Sequence, residues 1–138
     1  MGRSEKYILG RGAYDGTYDY VHSSISSEPR YAYLHDIQLH DQNYQTYGGT
    51  YAWLTAAVKA ADKAVKNADR YSTPTLLFQA ELDNTVGANG QNAFADRASN
   101  VQLIQVLGAK HSIQLSENPI LIPFMDQVMD FYEEHLKN

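Results

Sequence analysis

Two side chains in this sequence have the types and placement of an acid–base pair. Asp83 lies in Gln79-Ala80-Glu81-Leu82-Asp83-Asn84-Thr85-Val86, and His111 lies in Gly108-Ala109-Lys110-His111-Ser112. Each follows a short apolar run that reads as a strand. In open α/β sheets, functional side chains sit just beyond the carboxyl ends of strands. A carboxylate there can accept the imidazole N–H, fix its tautomer and stabilise the imidazolium formed when the ring takes a proton. Each residue alone has a plainer explanation: Asp-Asn after a strand is commonly a turn, and a single loop histidine is commonly solvated. At the ends of neighbouring parallel strands, the two together point to catalysis.

Other chemistries fit less well. The five histidines include no His-x-x-x-His or His-Glu-x-x-His pair. His35 and His40 diverge on a helix and read as a solvated face, so no metal site is expected. Gly87-Ala88-Asn89-Gly90 at a helix start lacks the Lys and Ser/Thr of a phosphate loop, and reads as a plain helix N-terminus. Glu133-Glu134-His135 reads as solvated. With no cysteine, thiolate nucleophiles, disulfides and Cys-based zinc are excluded, which fits a reducing, cytoplasmic compartment. A formal net charge of −5 argues against nucleic acid as the main partner. No apolar stretch reaches the ~18 residues of a transmembrane segment. Met1 to Gly10 lacks the order of a signal peptide, and Lys6 stands where a myristoylation pattern wants Ser or Thr.

The elements that must position Asp83 and His111 follow from periodicity. At 138 residues the chain is one domain's worth of polypeptide. All but one of its 11 tyrosines lie at or before Tyr71, while all four phenylalanines follow Pro74. A boundary is expected near Ser72-Thr73-Pro74, between a Tyr-rich segment suited to an irregular surface or ligand-facing lid and a drier core segment. Residues 7–24 read as loop. Ser27-Glu28-Pro29 reads as a cap and first turn of a helix to His40. In residues 50–69, Leu54, Ala57, Val58, Ala61 and Val65 share one helical face, and Thr50 can cap that helix. Strands are expected at Thr75–Ala80 and Val101–Leu107, with a helix from Gly87 to Ala98 between them. A last helix runs from Pro119 or Ile122 to Leu136, its start drawn toward Leu121 because Pro123 removes a donor. Strand, helix, strand, helix implies parallel strands. Parallel strands usually belong to larger sheets, so the chain either borrows strands from another copy or is part of a bigger domain.

The Thr73–Glu81 segment, Asp83, Val86, Gly108-Ala109-Lys110-His111 and the stretch from Asp126 to Tyr132 resemble the C-terminal third of serine α/β-hydrolases, in the lysophospholipase L2 and monoacylglycerol lipase branch. Gly10-x-Gly12, Ser26-Ser27-Glu28-Pro29-Arg30-Tyr31 and Tyr47-Gly48-Gly49-Thr50-Tyr51-Ala52-Trp53-Leu54 resemble that branch's cap. The resemblance implies the C-terminal part of an α/β-hydrolase fold. Residues 1–72 would be a cap segment, and 73–138 an α/β section carrying acid and base. It implies hydrolysis of lysophospholipids or monoacylglycerols by a Ser-His-Asp mechanism, with Asp83 as acid and His111 as base. Tyr51 and Trp53 would lie in the cap helix, facing the acyl chain. It implies a lipid ester as substrate and no cofactor or metal.

One departure stands out. The sequence contains no Gly-x-Ser-x-Gly; the nearest approach is Gly2-Arg3-Ser4-Glu5-Lys6. The oxyanion loop and earlier strands also have no counterpart. The expectation is a C-terminal portion of a larger hydrolase, inactive alone. The apolar edge left at Thr75–Ala80 would favour a homo-oligomer. The alternatives are a non-catalytic, self-associating α/β module, or an α/β-hydrolase whose nucleophile is a carboxylate.

Overall fold

In the computed structural model, which describes residues 3–46 and 48–136, the two apolar runs pair side by side. β1 (Thr75–Ala80) and β2 (Val101–Val106) are parallel, with Thr75 opposite Val101 and Ala80 opposite Val106. Between them the chain crosses through α3 (Ala88–Ala95). Ahead of the sheet come α1 (Glu28–His40) and α2 (Tyr51–Lys66), and after it α4 (Asn118–His135). Helices, a parallel strand pair and this order agree with the C-terminal part of the α/β fold that the resemblance implies.

The period-two alternation of β1 divides its contacts. Phe78 and Ala80 meet α4: Ala80, Ala109 and Ile113 are buried, with Phe78, Val106, Ile120 and Phe124 packed against them. The Phe78 and Phe124 rings meet edge-on at 4.6 Å, a geometry that contributes ~0.5–1.5 kcal/mol beyond burial. Gln79 is turned toward α3. Its buried amide nitrogen donates its two hydrogens to Gln91 Oε1 at 3.1 Å and Asn92 Oδ1 at 2.9 Å, with the Ala88 carbonyl oxygen 3.4 Å away. A buried amide left without such partners would be costly, so this cluster fixes α3 on the sheet.

Several boundaries differ from expectation. β2 stops at Val106, because Leu107 and Gly108 turn the chain and Gly108 has φ +70°. α3 ends at Ala95, short of Ala98. α4 starts at Asn118 and runs through Pro123. The carbonyl orphaned by the missing Pro123 N–H belongs to exposed Pro119, where water can serve it, while Ile120 and Phe124 hold the first turns on the core. Ser27 precedes α1 without capping it through its side chain. Its own N–H is instead used across the fold, donated to the Leu115 carbonyl at 3.3 Å. His35 is not on a solvated face: its ring lies 5.1 Å from Tyr18 and 6.1 Å from Tyr31, with Nε2 3.1 Å from the Gly16 carbonyl oxygen. His40 is exposed.

α2 begins as the sequence implies, with Thr50 Oγ1 accepting from the Trp53 N–H at 3.2 Å. It ends at Lys66, and Ala68–Arg70 continue as a 3-10 turn. Its apolar stripe is largely uncovered by the described residues: Leu54 is 39% and Val58 52% exposed. The segment before α2 is docked through Ile8 N–H to Gly49 O at 2.9 Å, Gly48 N–H to Gly12 O at 2.8 Å and Tyr51 N–H to Lys6 O at 3.0 Å. Tyr47 lies outside the described residues, as do Met1 and Gly2.

The close approach at Gly48 leaves no room for a side chain. A Cβ there would sit 2.7 Å from Arg11 Cβ and 2.9 Å from the Gly12 nitrogen. Gly48→Ala is therefore expected to destabilise the chain by about 1–3 kcal/mol in urea unfolding. Gly90→Ala meets nothing within 4 Å inside α3, and is expected to be neutral or stabilising by up to about 1 kcal/mol.

Candidate active site

The loops after β1 and β2 leave the same edge of the sheet and are knitted together by backbone contacts. The Glu81 N–H donates to the Val106 carbonyl at 3.1 Å, and the Leu82 N–H to the Ala109 carbonyl at 2.9 Å. Glu81 Oε2 accepts from the Gly108 N–H at 2.7 Å. Gly108 needs its positive φ to make this turn, where other residues incur a penalty of roughly 1–2 kcal/mol.

This frame brings the two sequence-derived candidates together. Asp83 Oδ2 lies 2.8 Å from His111 Nδ1. A carboxylate only accepts, so Nδ1 carries the hydrogen, and in the neutral ring Nε2 keeps the lone pair. Nε2 has no hydrogen-bond partner among the described residues. Asp83 Oδ1 accepts from the Thr85 N–H at 2.8 Å and the Val86 N–H at 3.0 Å, so the turn reading of Asp-Asn and the pairing with His111 hold together. The Asp83 side chain is only 9% exposed, while that of His111 is 40% exposed. A fixed carboxylate behind an accessible imidazole is the division of labour that a proton-accepting histidine needs.

Electrostatics agree with the geometry. Burial pushes the Asp83 carboxyl upward and is the largest single influence. It is outweighed by the hydrogen bond from His111, the N–H groups of Val86 and Thr85, and the charge of His111, so the group lies below its ordinary value of 3.8.

The other candidates are placed elsewhere. Tyr51 lines a groove of about 940 Å³ between α2 and the N-terminal segment, with Tyr7, Leu9, Ala52, Lys6 and Lys59. Ser4, at the sequence's nearest approach to a nucleophile motif, lines the same groove. Trp53 is 62% exposed and borders a separate depression with Gly48, Gly49 and Thr50. Neither depression is lined by Asp83 or His111. Among the described residues, no cluster of His, Cys, Asp and Glu could hold a metal ion.

Sequence reasoning missed the residues that hold the His111 loop. Glu81 reads as an ordinary strand-end acid. Ser24 pairs with Ser112 at 2.8 Å, and Arg30 donates to the Ser116 carbonyl at 2.6 Å and to Asn118 Oδ1 at 2.7 Å. No periodicity or motif signals partners 86 to 88 residues apart.

The depressed Asp83 value carries a sign. The folded state binds this proton more weakly than the unfolded chain does. The stabilisation is therefore complete above 3.8 and is lost as pH falls through the lower folded value. Asp83→Ala should lower unfolding free energy by about 1–3 kcal/mol near neutral pH, and by much less near ~pH 2. Urea titrations of both proteins at the two pH values check this.

The comparisons with known proteins bear on the whole arrangement. The family described as Serine aminopeptidase, S33 (Hydrolase_4) matches residues 20–118, a span that contains Asp83 and His111. A probable lysophospholipase L2 of Haemophilus influenzae is 21% identical over 120 residues, covering 87% of this chain and 38% of that protein. Lysophospholipase L2 of Escherichia coli K12 is 22% identical over 136 residues, covering 94% of this chain and 40% of that protein. A soluble variant of monoglyceride lipase from Saccharomyces cerevisiae, solved with a substrate analog, superposes with a TM-score of 0.64 at 17% identity, over 81% of this chain and 41% of that one. The chain thus spans about two fifths of the length of these relatives. It belongs to the serine aminopeptidase S33 (Hydrolase_4) family and shares the α/β-hydrolase fold of the monoglyceride lipase it superposes on.

Proposed function

We propose that this chain carries the acid and base of a carboxylic-ester hydrolase that acts on a glycerol lipid with a single acyl chain, a lysophospholipid or a monoacylglycerol. The observation that carries the reading is the 2.8 Å contact between Asp83 and His111 at the ends of adjacent parallel strands, with Nε2 of the ring unbonded among the described residues. In the mechanism, a serine Oγ attacks the ester carbonyl and passes its proton to His111 Nε2. Asp83 stabilises the imidazolium without itself taking the proton. The imidazolium then protonates the departing alkoxide. Water, activated by the same imidazole, releases the fatty acid from the acylated serine.

The nucleophile in this reading lies outside the given sequence, which holds no Gly-x-Ser-x-Gly. Residues 1–72 serve as the cap segment and 73–138 as the section bearing acid and base. Tyr51 and Trp53 on α2 supply aromatic surface for the acyl chain, which their exposure supports. A cytoplasmic location fits the absence of cysteine. No helix among the described residues is long and apolar enough to cross a membrane. The outer edge of β1, unpaired among the described residues, supports self-association of the isolated chain.

The chain alone is expected to show no ester turnover, because losing a single oxyanion donor already costs roughly 10²–10³ in rate. Exchanged for the matching section of E. coli lysophospholipase L2, it is expected to support lysophospholipid hydrolysis that falls about 10⁴-fold in Asp83→Asn. A chimera indifferent to Asp83→Asn overturns the assignment. Because Trp53 is the sole tryptophan, its emission is expected to shift to the blue on titration with lysolipid if α2 contacts the acyl chain. Size-exclusion chromatography is expected to give a mass above 15.5 kDa.

A further inference from the structure

His111 is held from two directions. Its ring reaches Asp83, while the residues on either side of it bond to a different part of the chain, the segment Ser23–Ile25. Half-buried Lys110 places its Nζ 3.3 Å from the Ser23 carbonyl oxygen and 3.4 Å from that of Ile25. The Ser112 N–H donates to the Ser24 carbonyl at 3.0 Å, and the Ser112 and Ser24 hydroxyls are 2.8 Å apart. Alternation along the loop therefore sends Lys110 and Ser112 one way and the imidazole the other.

The Lys110 ammonium is in none of the ion pairs among the described residues. A partly desolvated cation without a carboxylate needs other compensation. Here the two carbonyls supply it, together with the face of Tyr20, whose ring centre is 5.7 Å from Nζ. Tyr20 is itself tied to the residue that follows this segment, donating its hydroxyl to the Ser26 carbonyl at 2.7 Å. Strap, ring and ammonium form one connected unit with the histidine loop.

We infer that Lys110 is a positioning residue: it fastens the His111 loop to the Ser23–Ile25 strap, so that alignment of the imidazole on Asp83 depends on where the strap lies. The inference rests on the acid–base reading of Asp83 and His111. It gives that reading a control element in the Tyr-rich half of the chain. Displacement of the strap would carry Lys110 and Ser112 with it. A catalytic hydrogen bond tolerates only about 0.5 Å of such movement.

The test is the exchange with water of the His111 Nδ1 proton, followed by NMR in the full chain, against the backbone amides of β1 and β2 as an internal reference. Lys110→Met keeps the aliphatic stem and removes the ammonium. It is expected to speed Nδ1–H exchange about tenfold or more relative to the strand amides, and Lys110→Arg to restore it. Acceleration of ring and strand protons alike, or no change in either, overturns the inference. If Lys110→Met does not fold, Ser24→Ala carries the test. It removes one strap hydroxyl and is expected to give a selective acceleration of about threefold; its absence overturns the inference equally. Asp83→Asn separates the two levels of the argument. If it leaves the Nδ1 proton in place, the pairing behind the proposed function fails. If it removes that proton while the Lys110 and Ser24 variants act on the strands alike, only the strap inference fails.

Discussion

Parallel pairing of β1 and β2 is the constraint on which the site depends. Strands that run the same way deliver their carboxyl ends to one edge, so Asp83 and His111, 28 residues apart in the chain, emerge as neighbours. An antiparallel pair would have sent the two loops to opposite ends of the sheet. Once the loops are adjacent, the Glu81 side chain, two backbone carbonyls and three backbone amides close the space between them, and the 2.8 Å hydrogen bond follows. The cost of burying a carboxylate is met locally, by two backbone N–H groups and the imidazole, so the charge persists where it can steady a cation on the ring.

The buried apolar residues among those described are small or few: Ile25, Ala68, Ala80, Ala98, Ala109 and Ile113. A core of this size leaves much of the attachment of residues 20–30 to polar contacts. Arg30 on the Ser116 carbonyl and Asn118, Ser24 on Ser112, and Ser27 N–H on the Leu115 carbonyl all cross between the same two stretches of chain. Hydrogen bonds are directional where apolar contact is not. A loop held this way keeps one orientation, as an imidazole facing a fixed carboxylate requires. The glycines act on the same principle. Gly48 permits backbone-to-backbone approach at the start of α2, and Gly108 permits the reversal that puts Ala109 into the core beneath His111.

Local signals read well where one interaction dominates. The run Thr75–Ala80 is bounded by Pro74 and a charged residue and forms a strand over those same residues. Thr50 caps α2, its hydroxyl accepting from the Trp53 N–H. Reading failed where tertiary contacts outweighed a local preference. Ser27 does stand at the N-cap of α1, its carbonyl accepting from the Tyr31 N–H, but it lies buried and its side chain makes no cap hydrogen bond. Pro123 argues for a late start to α4, yet packing of Ile120 and Phe124 on Phe78 and Val106 holds the helix from Asn118. His35 sits at a spacing that suggests solvent, yet it packs against Tyr18 and Tyr31.

Strand length, turn chemistry and the helix-sized interval between strands are encoded within a few neighbouring residues. The amino-acid sequence alone therefore determined the parallel strand pair and the location of Asp83 and His111 at its carboxyl edge. Only the tertiary structure decided that Lys110 and Ser112 bind the Ser23–Ile25 strap and that Arg30 binds Ser116 and Asn118, at separations of 85 to 88 residues. It also decided that Tyr51 and Trp53 border depressions apart from the histidine, and that the apolar stripe of α2 stands largely uncovered among the described residues. Such contacts join segments with no shared periodicity, and their geometry exists only once the sheet, its crossing helix and α4 have set the distance between them.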